Sequence, residues 1–243
     1  MKLKLAVIGD PVEHSLSPEY QLGFFSEYGI DGTFEAIRVP AGAGAAQIDA
    51  LRAAGYAGLN VTTPLKTEAY ARADLRDPTA TQTGAVNTLL LGEKIAGYNT
   101  DGIGAVGALT DTPFGDPAGQ TVLVLGAGAT GRAVAFALIA VNADVLIWNR
   151  TPERASQLAH ETGARIWSPN VPIGAVFSTL LPDAKLTDAE LRDTVATARI
   201  IVDANYGERA TLAAELGRPD VHDGRAMLRS SARASFEIFT SRH

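Results

Sequence analysis

Cysteine is absent from all 243 residues, which excludes disulfides, thiolate nucleophiles and cysteine-ligated zinc or iron–sulfur centres. That usage is consistent with a reducing, cytoplasmic setting. Histidine is scarce: His14, His160, His222 and His243 share no ligand spacing, so no metal site is expected. No apolar run approaches membrane-spanning length, and the alternation from Met1 to Ile8 is too brief for the apolar region of a signal peptide. Blocks of one charge are missing as well. The 21 basic and 27 acidic residues are interspersed, with a formal charge of −6, which argues against a partner held through nucleic-acid phosphates or anionic lipid. A small anionic ligand would need a local basic pocket.

What is present alternates between strand-like and helix-like segments. Leu3–Ile8 reads as a strand, Pro18–Tyr28 as a helix, Thr33–Val39 as a strand, Ala45–Ala54 as a helix, and Gly58–Thr62 as a strand stopped at Pro64. Val86–Leu91 and Lys94–Tyr98 flank Gly92-Glu93, which predicts a two-residue hairpin turn and some antiparallel pairing in a mixed first sheet. A helix over Asp101–Leu109 runs into a stretch rich in proline and glycine up to Gly119. Beyond it, Thr121–Leu125, Thr130–Ala140, Asp144–Trp148 and Pro152–Glu161 form a βαβα run. Val176–Leu180, Asp188–Val195 and Ile200–Asp203 extend it into a doubly wound dinucleotide-binding pattern. The expected fold is α/β with two domains: a mixed α/β domain over residues 1–102, to which a last helix within 226–243 returns, and a doubly wound Rossmann domain over 103–225.

Gly126-Ala127-Gly128-Ala129-Thr130-Gly131 follows a buried-strand signal and opens a helix. In that context the glycines permit a tight turn, close approach of backbone to a pyrophosphate, and close packing of helix on strand. The helix N-terminus then offers N–H groups to the anion. The alternative is an ordinary glycine-rich turn. The next strand ends in Trp148-Asn149-Arg150-Thr151, with Arg154 following. An NAD site normally places an acid there to accept from the ribose hydroxyl; here Arg150 and Arg154 suit a 2′-phosphate, which predicts NADP. Two solvated arginines at a helix start would be the plainer explanation.

Three polar clusters lie in the first half, at predicted strand ends or in the loops just beyond: His14 to Pro18, Asn60 to Lys66, and Gly84 to Thr88 with Asn99 to Gly102. Open α/β sheets present ligands there. Taken singly, each cluster has a structural reading: Ser17-Pro18 as a helix cap, Asn87 and Asn99 as turn residues, Lys66 as a solvated lysine.

Taken together and in this order, the clusters, the glycine loop and Asn149-Arg150-Thr151 resemble the shikimate dehydrogenase family over nearly the whole chain. The resemblance implies a substrate carboxylate on Ser15 and Ser17, and ring hydroxyls held by Asn60, Thr62, Asn87 and Asp101. It also implies a catalytic lysine, Lys66, paired with Asp101. Such a lysine could donate and accept the proton of the reacting oxygen or act chiefly as an electrostatic anchor. Asp203-Ala204-Asn205-Tyr206 resembles the family segment whose tyrosine borders nicotinamide and substrate. Gly224 and Met227 resemble the pair near nicotinamide. The implied reaction is NADP-linked reduction of 3-dehydroshikimate to shikimate, with quinate or dual specificity as the enzymatic alternative and a non-catalytic nucleotide- or metabolite-binding module as the other.

Two positions depart from the family pattern. Ser231 stands where members carry a glutamine that bonds substrate hydroxyls, and Phe177 to Pro182 replaces the usual asparagine-containing loop beside the cofactor. The chain also ends at His243, short of the extra C-terminal helix of many members. A compensating rearrangement or a homodimer interface is expected to cover the apolar face so exposed.

Overall fold

The computed structural model describes residues 2–182 and 184–241. Met1 and His243, named above, lie outside the described residues. The chain divides into two units, the first running to Thr100 and resuming at Ser231, the second spanning Asp101–Ser230.

Unit 1 is built from β1 (Leu3–Gly9), α1 (Ser17–Glu27), β2 (Gly32–Arg38), α2 (Gly44–Ala53), β3 (Gly58–Val61), α3 (Lys66–Arg72), β4 (Leu75–Arg76), α4 (Pro78–Thr83), β5 (Thr88–Leu91) and β6 (Ile95–Tyr98). Its six strands are ordered β2-β1-β3-β5-β6-β4. The β1 strand pairs in parallel with β2 and β3, while β5 pairs antiparallel with both β3 and β6, giving a mixed sheet. Leu91 faces Ile95 across the hairpin, so the turn holds Gly92, Glu93 and Lys94 rather than the two residues expected. Apolar clusters cover both faces of the sheet, one around Ile8, Leu59, Leu65 and Ile95, the other around Leu5, Phe25, Phe236 and Phe239. Each such buried side chain contributes about 1.5–3 kcal/mol of transfer free energy.

Unit 2 comprises α5 (Asp101–Thr110), β7 (Thr121–Leu125), α6 (Ala129–Ala140), β8 (Asp144–Trp148), α7 (Pro152–Thr162), β9 (Arg165–Ile166), β10 (Ala175–Ser178), α8 (Ala189–Thr197), β11 (Ile200–Asp203) and α9 (Leu212–Leu216). A final helix, α10 (Arg225–Thr240), begins in unit 2 and ends in unit 1. The sheet order is β11-β10-β7-β8-β9, with every pairing parallel. From β7 the chain winds outward through β8 and β9, then returns to β10 on the other side. The C-terminal end of β7 is therefore a topological switch point, where such sheets bind ligands. No helix among the described residues is long and apolar enough to cross a membrane.

Candidate functional site

In unit 1 the sequence-identified residues gather at the C-terminal ends of β1 and β3 and the start of β5. Gly9 closes β1, and a Cβ there would come within 2.3 Å of the Thr62 methyl, so glycine lets the segment after β3 press against β1. Ser15 and Ser17 follow. The Ser15 hydroxyl accepts from the Ser17 amide at 3.2 Å. Ser17 is buried yet does not cap α1, whose N-cap is Leu16 without a side-chain bond. The capping explanation for Ser17 therefore fails, and its hydroxyl is not consumed by the helix end.

Lys66 is the first residue of α3, a helix the sequence reading did not anticipate. Leu65 and Ala69 are fully buried on either side of it and pin this turn to the sheet. The Lys66 carbonyl accepts from the Val86 amide at 2.9 Å. Glu68 ties α3 to the start of α2 by accepting from the Gly42 and Gly44 amides at 2.7 and 2.8 Å. The lysine backbone is thus fixed from three directions, and its side chain is half-buried.

Asn60 and Asn87 belong to one continuous hydrogen-bonded string. Asn60 Nδ2 donates to the Thr88 hydroxyl at 3.3 Å, and Thr88 donates to Asn87 Oδ1 at 3.0 Å. Asn87 Nδ2 donates to the Thr100 hydroxyl at 3.1 Å, while the Thr100 amide donates back to Asn87 Oδ1 at 2.9 Å. The Thr100 hydroxyl lies 2.8 Å from that of Ser231. Ser231 thus supports Thr100. Asn99 behaves differently: its Nδ2 donates to the Thr83 hydroxyl and the Ala85 carbonyl at 3.1 and 3.0 Å, closing the α4–β5 connection. Thr88 and Thr100 lie within the polar clusters read from the sequence but were given no role there, and Gln21 was missed because a lone glutamine carries no motif and its partners are distant in sequence.

In unit 2 the glycine loop adopts the strand-to-helix geometry that its spacing predicts. Gly126 has φ 104°, open to glycine almost alone, and a Cβ on Gly131 would sit 2.1 Å from the Gly126 carbonyl oxygen. Gly128 is the N-cap of α6, exposed, with open space where a side chain would stand. Ala127, Ala129 and Thr130 are half-buried around it. The Asn149 side chain accepts from the Ala127 amide at 3.1 Å and donates to the Thr151 carbonyl at 3.0 Å, joining the end of β8 to the loop. Arg150, Thr151 and Arg154 are exposed beside it. Thr130 donates to Asp101, buried at the start of α5, at 3.4 Å.

The divergent segment after β10 has an architectural role. Both the amide and the hydroxyl of Thr179 donate to the Leu125 carbonyl, at 2.8 and 2.9 Å, which places the threonine against Gly126 and Gly131. Asp203 is buried at the end of β11 and accepts from the Asn205 amide and side chain at 3.0 and 2.8 Å. Desolvation holds its carboxyl above the ordinary range, opposed by the Asn205 hydrogen bonds. That turn carries Tyr206, which is half-buried. Gly224 donates to the Asn205 carbonyl at 2.8 Å, and its own carbonyl accepts from Leu228. Met227 is buried in the apolar cluster of unit 2. Among the described residues no group of three or more histidine, aspartate or glutamate side chains is placed to hold a metal.

Two family profiles match the chain. Residues 7–89 match the shikimate dehydrogenase substrate binding domain, and residues 108–170 match shikimate / quinate 5-dehydrogenase. The NADP(+)-dependent shikimate dehydrogenase of Methanococcoides burtonii is 45% identical over 163 residues, 67% of this chain and 60% of that protein. The chain thus spans about 60% of the length of the curated relatives it matches first. The corresponding protein of Methanosarcina barkeri is 42% identical over 76% of this chain and 68% of its own length. The shikimate 5-dehydrogenase of Thermus thermophilus, solved in complex with NADP(H) and shikimate, superposes with a TM-score of 0.83 at 33% identity, covering 98% of this chain and 94% of that one. With both sheets, the glycine loop and the polar string already in place, these likenesses lead to one statement of kinship: the chain belongs to the shikimate dehydrogenase family.

Proposed function

We propose that this chain catalyses the reversible NADP-dependent reduction of 3-dehydroshikimate to shikimate. The observation that carries the reading is the string from a half-buried Asn60 to the buried Thr88, Asn87 and Thr100, a file of oriented carboxamides and hydroxyls suited to a small ring bearing several hydroxyls.

The roles follow from the chemistry of each group. Ser15 and Ser17 bind the carboxylate through hydroxyl donors. Asn60, Thr62, Asn87 and Asp101 hold ring hydroxyls, and Lys66, the catalytic lysine, gives a proton to the oxygen that becomes the alcohol and takes it back in the reverse direction. Asp101 is assigned to the reacting oxygen together with Lys66. Gly126 to Gly131 and the start of α6 suit a pyrophosphate, since Gly128 stands open at a helix N-terminus and tight backbone contacts shape the turn. Asn149, Arg150, Thr151 and Arg154 suit the 2′-phosphate. Tyr206, Gly224 and Met227 are assigned to the nicotinamide end. Bound NADPH supplies the hydride; the protein supplies orientation and the proton.

The test follows absorbance of reduced nicotinamide with shikimate or quinate, each paired with NADP⁺ or NAD⁺. Shikimate with NADP⁺ is expected to give the highest kcat/KM. Binding of NADP⁺ without reduction in any pairing would discard the enzymatic reading in favour of a nucleotide-binding module.

A further inference from the structure

Gln21 is the one glutamine side chain in unit 1 that the described structure buries completely, and the reaction as proposed gives it no task. It projects from α1 onto β3 and the middle of α10. Its Nε2 lies 3.2 Å from Asn60 Oδ1, 3.0 Å from the Ala232 carbonyl and 2.9 Å from the Ser235 hydroxyl. Ser235 in turn donates to the Ala232 carbonyl at 2.9 Å, leaving its lone pairs toward Gln21. Its Oε1 is buried and meets no donor among the described residues.

The orientation of this amide follows from its partners. A backbone carbonyl only accepts, so the atom beside Ala232 must be the nitrogen. That nitrogen has two hydrogens for three acceptors, so they are shared among the Ala232 carbonyl, the Ser235 hydroxyl and Asn60, which presents its oxygen to Gln21 and its nitrogen to Thr88. Asn60 Nδ2 then meets the Thr88 hydroxyl, which donates to Asn87 Oδ1, an oxygen held separately by the Thr100 amide. Reversing Asn60 would set its nitrogen against the Gln21 nitrogen and its oxygen toward the Asn87 carbonyl, which now faces Asn60 Nδ2 at 3.5 Å. A buried glutamine that leaves its own acceptor unsatisfied is a poor choice for stability alone.

We infer that Gln21 is a positioning residue for substrate specificity, fixing which atom of the Asn60 carboxamide is turned toward a substrate hydroxyl. The inference rests on the assignment of Asn60 and Asn87 to ring hydroxyls.

Gln21→Met keeps the length of the side chain and removes its donors. It is expected to raise KM for shikimate about tenfold, the effect of one displaced hydrogen bond, with a much smaller change in kcat and none in the dissociation constant for NADP⁺. Action through Asn60 also predicts coupling: in an Asn60→Ala background the same substitution is expected to change KM less than about twofold, whereas independent structural effects would multiply. Should Gln21→Met not fold, Gln21→Asn, which withdraws the amide by one methylene, carries the same two expectations. Wild-type KM in a folded variant, or full effect in the Asn60→Ala background, would overturn the inference. Absence of shikimate binding by the unaltered chain, measured calorimetrically, would instead remove the underlying functional reading.

Discussion

In each unit the sequence-identified residues gather beside a strand paired in parallel on both sides, β1 in one and β7 in the other, yet the chemistry presented there differs. Unit 1 offers side chains, and each takes its orientation from the next: Gln21, Asn60, Thr88, Asn87, Thr100, Ser231. Unit 2 offers backbone, shaped by glycines whose missing Cβ atoms let Gly126, Gly131 and Thr179 crowd together. A site made of side chains is specified by hydrogen-bond partners and is damaged by losing one. A site made of backbone is specified by sterics and is damaged by adding an atom. On the proposed reading the first serves to discriminate among hydroxyl patterns and the second to receive a pyrophosphate.

The largest effect is expected at Lys66, where the side-chain strategy bears on chemistry. Lys66→Ala should lower kcat by about 10²–10⁴-fold, the usual worth of a positioned acid–base group, with NADP⁺ affinity unchanged by fluorescence titration. Equal kcat would take the lysine out of the mechanism.

The steric counterpart is Gly131→Ala. A Cβ would meet the Gly126 carbonyl oxygen at 2.1 Å, and backbone cannot swing aside as a flexible side chain does. A destabilisation of about 1–3 kcal/mol is expected in denaturant unfolding, accompanied by weaker NADP⁺ binding. Unchanged stability together with unchanged binding would undo the contrast between the units.

Arg150→Ala probes side-chain recognition in unit 2, just beyond the end of β8. Loss of an exposed charge-assisted contact is expected to weaken NADP⁺ about tenfold and leave NAD⁺ nearly untouched. Equal losses, read from KM for each cofactor, would refute the assignment to the 2′-phosphate.

The smallest effect concerns Asp203, whose folded-state pKa lies above its ordinary value because of burial. The sign follows by linkage. Protonation is favoured by folding, so this group's contribution is fully present below about pH 4, the ordinary carboxylate value, and is lost as pH rises through the elevated folded value. Asp203→Asn does not titrate, so its stability relative to the unaltered protein should improve as pH is raised from that point toward neutrality. A pH-independent difference in melting temperature would contradict the linkage.

Much of the architecture is local and was therefore legible in the sequence. The alternation of periods along the chain marked most strands and helices, since a parallel strand and an amphipathic helix each imprint their own spacing of apolar residues. The glycine loop was readable for the same reason: turn, close approach and packing are demanded within six consecutive positions, and only glycine meets them. Less was legible where a partner lies far along the chain. The short helix at Lys66 carries too few residues to show a period, and the hairpin turn gained a third residue because cross-strand register, rather than the Gly92-Glu93 pair, sets its length. Asn87 and Asn99 look alike in sequence, yet one joins the polar string and the other closes a connection.

Gln21 shows the division most clearly. Its partners Ala232 and Ser235 are 211 and 214 residues away. A sequence specifies backbone conformation through sterics acting over a few bonds, and so it determined the elements and the glycine loop. Which amide faces which hydroxyl depends on atoms brought together only when helices and sheet pack, and that was decided by the tertiary structure alone.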